Sequence, residues 1–160
     1  GAAGNATVKI DMVTSDLQEA IQDVEFIFVA VPAFAHDVYA RALAELVHPG
    51  QTVMVMPGTF DSLIFWKEFR KKGLEDVVVA ETNTLPYATR LQGPGSTLIM
   101  SLFNPLKVGV MPACRTQETV EKLRTFYPSP EAVESVIACG LSSLNPIIHV
   151  PGCILNAGRI

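Results

Sequence analysis

Three continuous apolar runs organise the first half of the chain: 26–31 (FIFVAV), 52–56 (TVMVM) and 77–80 (VVVA). Runs of this length without polar alternation read as strands buried on both faces, the signature of a parallel sheet. The segments between them have helical spacing. Residues 35–47 place Val38, Ala42 and Leu46 on one side and stop at Pro49-Gly50. Thr59 or Asp61 caps a helix that runs to Lys72 and stops at Gly73. Upstream, residues 8–13 alternate weakly as a short strand, and Thr14-Ser15-Asp16 supplies an N-cap for a helix over 17–22. Apolar strands joined by amphipathic helices predict βαβ units with helices on both sheet faces, the doubly wound class.

The second half changes character. Residues 97–102 and 107–111 read as strands so close together that Asn104-Pro105 predicts an antiparallel hairpin, with Tyr87 and Arg90 on the loop before it. Thr116 caps a helix with Val120, Leu123 and Phe126 or Tyr127 inward, and Pro128 ends it. Residues 132–138 are strand-like. Near Gly140 the pattern becomes a long helix interrupted by Pro146 and Pro151. A domain boundary is therefore placed there: 1–138 as an α/β nucleotide-type domain, 139–160 as the start of an all-helical one. Both ends look cut, since no initiator Met is present and Gly158-Arg159-Ile160 falls within an ongoing element.

That last helix carries the sharpest chemical signal. At about 100° per residue, Asn145, His149, Gly152 and Asn156 fall within an arc of roughly 60°. One face thus holds two carboxamides, an imidazole and a bare glycine, while the others hold Ile147, Ile148, Val150, Ile154 and Leu155. An imidazole in a small apolar-walled notch is how a general acid/base is built; it is equally how a hydrogen-bonded core histidine looks.

Bulk properties narrow the field. At 160 residues and 17.3 kDa the chain can bury one good core. A mean hydropathy of +0.31 agrees with doubly buried strands. Net charge -4 and a pI near 5.3 argue against a nucleic-acid partner, and Arg70-Lys71-Lys72 read as helix-terminus charges opposing the dipole. Cys114, Cys139 and Cys153 form no CxxC and have apolar neighbours, so they read as reduced core residues of a cytoplasmic protein. The longest apolar run, 26–35, is broken by Pro32 and too short for a bilayer, and His36, His48 and His149 are too scattered for a metal site. Neither a membrane nor a metal is expected.

Ligands of open parallel sheets bind at the carboxyl ends of the strands. Here those ends read Val31-Pro32-Ala33, Met56-Pro57-Gly58 and Glu81-Thr82-Asn83. Each pair alone is a plain turn former; three in register point to a nucleotide cleft with Val31, Pro32, Ala33, Pro57, Gly58 and Asn83 against the ligand. No G-x-G-x-x-G occurs: Gly1-Ala2-Ala3-Gly4 leads into a strand rather than a helix, and in Gly93-Pro94-Gly95 the proline removes a donor. His36 could line the cleft from the first turn of its helix, but reads better as solvent-facing. Arg90 could grip a carboxylate with its planar fork or be a surface charge.

Four stretches carry a family resemblance: Val31-Pro32-Ala33-Phe34-Ala35-His36; Gly50-Gln51 before the strand that ends at Pro57-Gly58; Glu81-Thr82-Asn83-Thr84-Leu85-Pro86-Tyr87-Ala88-Thr89-Arg90; and Asn145-Pro146-Ile147-Ile148-His149 followed by Leu155-Asn156-Ala157-Gly158. Over nearly the whole chain the sequence resembles the octopine/nopaline (opine) dehydrogenase family, in a form lacking the glycine-rich first unit and most of the C-terminal domain. The resemblance implies a Rossmann-like NAD(P) domain followed by a helical domain, and reduction of the imine formed between an amino acid and a 2-oxo acid. His149 matches the family's acid/base histidine in N-P-x-x-H; the aspartate it works with has no counterpart here. Asn145, Asn156 and Arg90 would contact the substrate. The chain departs from the glycine-rich pattern that often follows Pro57-Gly58, with Thr59-Phe60-Asp61 in its place.

Two other readings compete. A reductase of the ketopantoate reductase or glycerol-3-phosphate dehydrogenase type would share the fold but rely on a lysine early in the helical domain, and no lysine follows Lys122. A non-catalytic fragment that only binds a partner would explain the missing glycine-rich unit, but not the polar face of the last helix.

Overall fold

The computed structural model describes residues 4–159. Gly1, Ala2 and Ala3, the first residues of the Gly-Ala-Ala-Gly segment, lie outside the described residues. The chain runs α1 (Leu17–Ile21), β1 (Phe26–Val29), α2 (His36–Ala44), β2 (Thr52–Val55), α3 (Ser62–Lys71), β3 (Val78–Thr82), β4 (Tyr87–Gly93), β5 (Ser96–Leu102), β6 (Leu106–Met111), α4 (Thr116–Leu123), β7 (Pro130–Ala132), α5 (Val136–Leu141) and α6 (Asn145–Leu155). Single turns of 3-10 helix lead into α2 and α4.

Five strands form one sheet in the order β1-β2-β3-β6-β7. The three apolar runs pair in parallel, in register: Phe26 with Thr52, and Thr52 with Val78. Because side chains alternate across a strand, the runs feed two cores. On one face Val29, Val53, Val55 and Val79 pack against Ala40, Leu43, Phe65 and Phe69 of α2 and α3. On the other, Met54, Met56, Val78, Ala80, Val108 and Val110 pack against Val120 and Leu123 of α4. This is the expected doubly wound α/β arrangement with helices on both faces, parallel through β1, β2 and β3 but made mixed by β6. Asp16 caps α1 as its sequence foretells, its carboxylate accepting from the amides of Gln18 and Glu19 at 2.9 and 3.2 Å.

Several expectations are corrected. Residues 8–13 form no strand; they pair with no neighbour among the described residues, and Val8, Ile10 and Val13 stand exposed. The inward face of α2 is His36, Ala40, Leu43 and Ala44, not Val38 and Ala42; Val38 is 61% exposed. The strand 97–102 does not pair with 107–111. It pairs with β4 as a separate two-stranded hairpin turning at Pro94-Gly95, where Gly95 has φ +70. Tyr87 and Arg90 are therefore on a strand rather than a loop. β6 instead joins the main sheet antiparallel to β3, placing Leu106, Val108 and Val110 in the core. Residues 132–138 are not one strand: β7 ends at Ala132, and the Ser135 hydroxyl caps α5 by accepting from the Ala138 amide at 3.1 Å. Of the cysteines, Cys139 is a core residue, while Cys114 and Cys153 are exposed.

The expected long helix near Gly140 is two helices broken at residues 142–144. Pro146 sits in the first turn of α6, where its missing N–H costs nothing, and Pro151 lies inside it. Together Val136–Leu155 is long and apolar enough to cross a membrane by length and composition, with mean hydropathy 1.4. Its first half packs on the sheet through Val136, Cys139 and Gly140; α6 buries none of its own residues.

Candidate functional site

Two adjoining clefts open at the carboxyl ends of β1, β2 and β3. The first, about 380 Å³, is floored by Val31, Pro32, Ala33, Pro57 and Gly58, with His36 and Asp61 in its wall. The second, about 330 Å³, is bounded by Tyr87 and Arg90 of β4, by Phe103, and by Asn145 and His149 on successive turns of α6. Pro57 and Leu85 border both. Five of the six residues expected against a cofactor thus line one cleft, and Arg90 meets Asn145 and His149, more than fifty residues later in the chain, in its neighbour.

Two expected residues face elsewhere. Asn83 ties the end of β3 to β6: its Oδ1 accepts from the Lys107 amide at 3.1 Å and its own amide donates to the Lys107 carbonyl at 3.2 Å. The Asn156 amide group donates to the Gly152 carbonyl at 2.8 Å, closing the end of α6. Neither borders a cleft. His149 is exposed on α6, at the edge of the cleft that Pro57, Leu85 and Phe103 also line.

His36 is not solvent-facing. It is 1% exposed, with Nδ1 2.7 Å from Asp61 Oδ2 and Nε2 3.2 Å from the Val31 carbonyl. Both ring nitrogens face oxygen acceptors, so Nδ1 donates to the carboxylate and a proton on Nε2 would be received by the strand-end carbonyl. The pair bolts the start of α2 and the end of β1 to the turn before α3. Asp61 occupies the N-cap position of α3 yet makes no capping bond.

That turn is unusual. Thr59 and Phe60 have φ +49 and +77, and the Asp61 amide donates to the Gly58 carbonyl at 3.0 Å. Positive φ at both central positions is the type I′ pattern, which favours Asn and Gly. A β-branched and an aromatic residue there cost on the order of 1–3 kcal/mol each. The departure from a glycine-rich pattern after Gly58 is thus a departure at the positions where glycine would be free of strain.

Glu81 lies directly beneath. It is fully buried, and its carboxylate accepts from the Phe60 amide at 3.3 Å, the Ser62 amide at 3.3 Å and the Ser62 hydroxyl at 2.5 Å. Burial pushes its pKa up; the bonds from Ser62 and Phe60 oppose that, and the nearby Asp61 charge adds to it. Burial also pushes the Cys139 thiol up to about 12; its Sγ lies 3.4 Å from the Glu81 carbonyl oxygen. A Cβ on Gly58 would lie 2.3 Å from the Glu81 Cβ. The sequence offers Asp61 only as a helix cap and Glu81 only as a strand end, and gives neither a place in the site. The available signal was a lone acid in an apolar strand, one position after Ala80.

Fold and clefts together define a doubly wound α/β domain with two clefts at the strand ends. No protein-family model matches the chain. It is 30% identical over 160 residues to the opine dehydrogenase of Arthrobacter sp. (strain 1C), covering 99% of this chain and 44% of that protein. Among solved structures, octopine dehydrogenase with NADH and L-arginine superposes with TM-score 0.70 at 20% identity, over 87% of this chain and 36% of the other. Apo yersinopine dehydrogenase superposes with TM-score 0.72 at 17% identity, over 92% and 36%. In sequence the chain is similar to an opine dehydrogenase, and it shares the fold of these two solved structures. It spans less than half the length of the curated relatives it matches.

Proposed function

We propose that the protein is an NAD(P)-dependent oxidoreductase of opine dehydrogenase type, acting on the imine formed between an amino acid and a 2-oxo acid. The observation that carries this is the adjacency of the two clefts: one walled by small residues at parallel strand ends, the other by a cation, a carboxamide and an imidazole, with Pro57 and Leu85 between them. The relatives named above support it, one of them solved with NADH and L-arginine.

The residues present fit the nicotinamide end of such a cofactor. Ala33, Pro32 and Gly58 leave room for a flat ring against the backbone, while the sequence carries no glycine-rich turn for a pyrophosphate. The cofactor, when bound, supplies hydride. Arg90 offers a planar guanidinium to a substrate carboxylate. Asn145 provides a donor and an acceptor one turn from His149. His149 gives a proton to the nitrogen or oxygen of the substrate as charge develops there, the general-acid role an imidazole can fill. Asn156 and Asn83 support the site through the backbone they hold.

We assign residues 1–138 to the cofactor domain and 139–160 to the start of a helical domain; the apolar, uncovered surface of α6 supports a separate helical unit, while the rest of α5, through Cys139 and Gly140, still packs with the first. Partners are read as small molecules. Net charge -4 argues against nucleic acid, and a membrane role for Val136–Leu155 would strip α5 from the sheet. The separate cysteines favour the reducing cytoplasm.

Nicotinamide oxidation by the full-length protein with pyruvate and a panel of amino acids tests the reading. Turnover that requires both substrates is expected; turnover on the oxo acid alone would point to a simple reductase instead.

A further inference from the structure

The Gly58–Ser62 turn combines two costs. Its central residues hold left-handed dihedrals that neither Thr59 nor Phe60 favours, and its Asp61 gives up the helix cap to reach His36. Such a conformation persists only where its surroundings over-determine it. Here they do so from two sides. From beneath, the Glu81 carboxylate takes both amides that flank Asp61, those of Phe60 and Ser62, and the Ser62 hydroxyl as well. From the side, the Phe60 ring fills the space a side chain would take at Gly140 of α5, where a Cβ would lie 2.5 Å from Phe60 Cε1. Asp61 itself is held by neither device; it is the residue left between them, pointing at His36.

We propose that Glu81 is a positioning residue of the cleft: by fastening the turn on either side of Asp61, it holds the Asp61 carboxylate on His36 and so fixes the wall against which the cofactor ring packs. The proposal rests on the reading of that cleft as the nicotinamide site. An ionisable group buried at the end of a central strand is costly. Here three donors, all from the turn, converge on it and offset that cost. The route from Glu81 to the cleft runs through the backbone of residues 60–62, since Glu81 itself lines neither cavity.

The test is the ring-nitrogen resonance of His36 in selectively histidine-labelled full-length protein, assigned by its loss in His36→Gln, with the melting midpoint recorded alongside. Glu81→Gln leaves one acceptor oxygen for three donors. It is expected to move the His36 Nδ1 signal in the direction that Asp61→Asn moves it, and to add nothing in the Asp61→Asn background, because the two act in series. The NADH dissociation constant is expected to rise by about threefold to tenfold in both single variants and no further in the double. An unmoved His36 signal in folded Glu81→Gln protein, or the same increment with and without Asp61, overturns the proposal and leaves Glu81 as a stabiliser of the turn only. Should Glu81→Gln fail to fold, Ser62→Ala removes one donor of the clamp and carries the same expectation. If the wild-type protein binds no NADH, the cofactor reading fails, while the His36 signal still decides whether Glu81 acts through Asp61.

Discussion

Asp61 stands where α3 should be capped, yet its carboxylate leaves the helix amides alone and meets His36 Nδ1 at 2.7 Å. A side chain diverted from a capping bond worth about 1 kcal/mol has a stronger partner elsewhere. Removing it leaves a buried imidazole facing one acceptor instead of two. Asp61→Ala is therefore expected to destabilise the fold by about 1–3 kcal/mol in urea unfolding. A loss below about 0.5 kcal/mol would show that the pair contributes little.

Gly58 has no room for a methyl group. Its Cβ would fall 2.3 Å from Glu81 Cβ and 2.4 Å from Glu81 Oε2, and Cβ belongs to the rigid base of that side chain. Gly58→Ala is expected to cost about 1–3 kcal/mol through overpacking and to weaken nucleotide binding, because relief must come from moving the turn. Denaturant melts and NADH titration check both; unchanged values would contradict the tight approach.

The raised pKa of Glu81 has a consequence for stability. Between the ordinary carboxylate value of 4.5 and its higher folded value, the native state binds a proton that the unfolded chain has lost. The number of protons bound in the unfolded state minus that in the native state is negative, so this contribution to stability falls as pH rises through that window. Glu81→Gln carries no titrating group there. The melting temperature of the wild type is expected to fall relative to the variant's as pH rises from 4.5; parallel curves would argue against the shift.

Arg90 is exposed on β4 and borders the cleft of His149. If it grips a carboxylate, Arg90→Lys, which keeps the charge but loses the fork, should raise KM for the oxo acid or amino acid by about tenfold with stability within about 0.5 kcal/mol of wild type. Steady-state kinetics and a melt distinguish this from a surface charge, which would leave KM unchanged.

What the sequence reveals follows the physics of burial. The strands β1, β2 and β3 are legible because doubly buried strands leave no choice but apolar runs, and the cleft follows from where those runs stop. Helix α2 was placed in the wrong phase for a definite reason. Its true inward stripe, at 36, 40, 43 and 44, begins with a histidine, so the polar residue masked the stripe it belongs to. The hairpin was mispaired because β4, with the sequence YATRLQG, has no apolar run, while its partner β5 is exposed along its whole length. Pairing that rests on backbone bonds leaves little trace in hydrophobic pattern. The Glu81 clamp was invisible for the opposite reason: it depends on two left-handed residues that no propensity scale would place there. In contrast, His149 and Asn145 stand out by residue type and helical spacing, and the fold brings them to one cleft with Arg90, which residue type alone leaves between a carboxylate grip and a surface charge.

The central claim is that His149 moves the proton in an opine-type reduction. Its most direct test compares wild type with His149→Ala in the full-length protein, following NADH oxidation with pyruvate and the preferred amino acid and measuring NADH affinity separately. A fall in kcat of about a hundredfold or more, with NADH affinity unchanged, is the expected result. Turnover indifferent to the substitution, or turnover that needs no amino acid, would contradict it and return His149 to the surface of a helix.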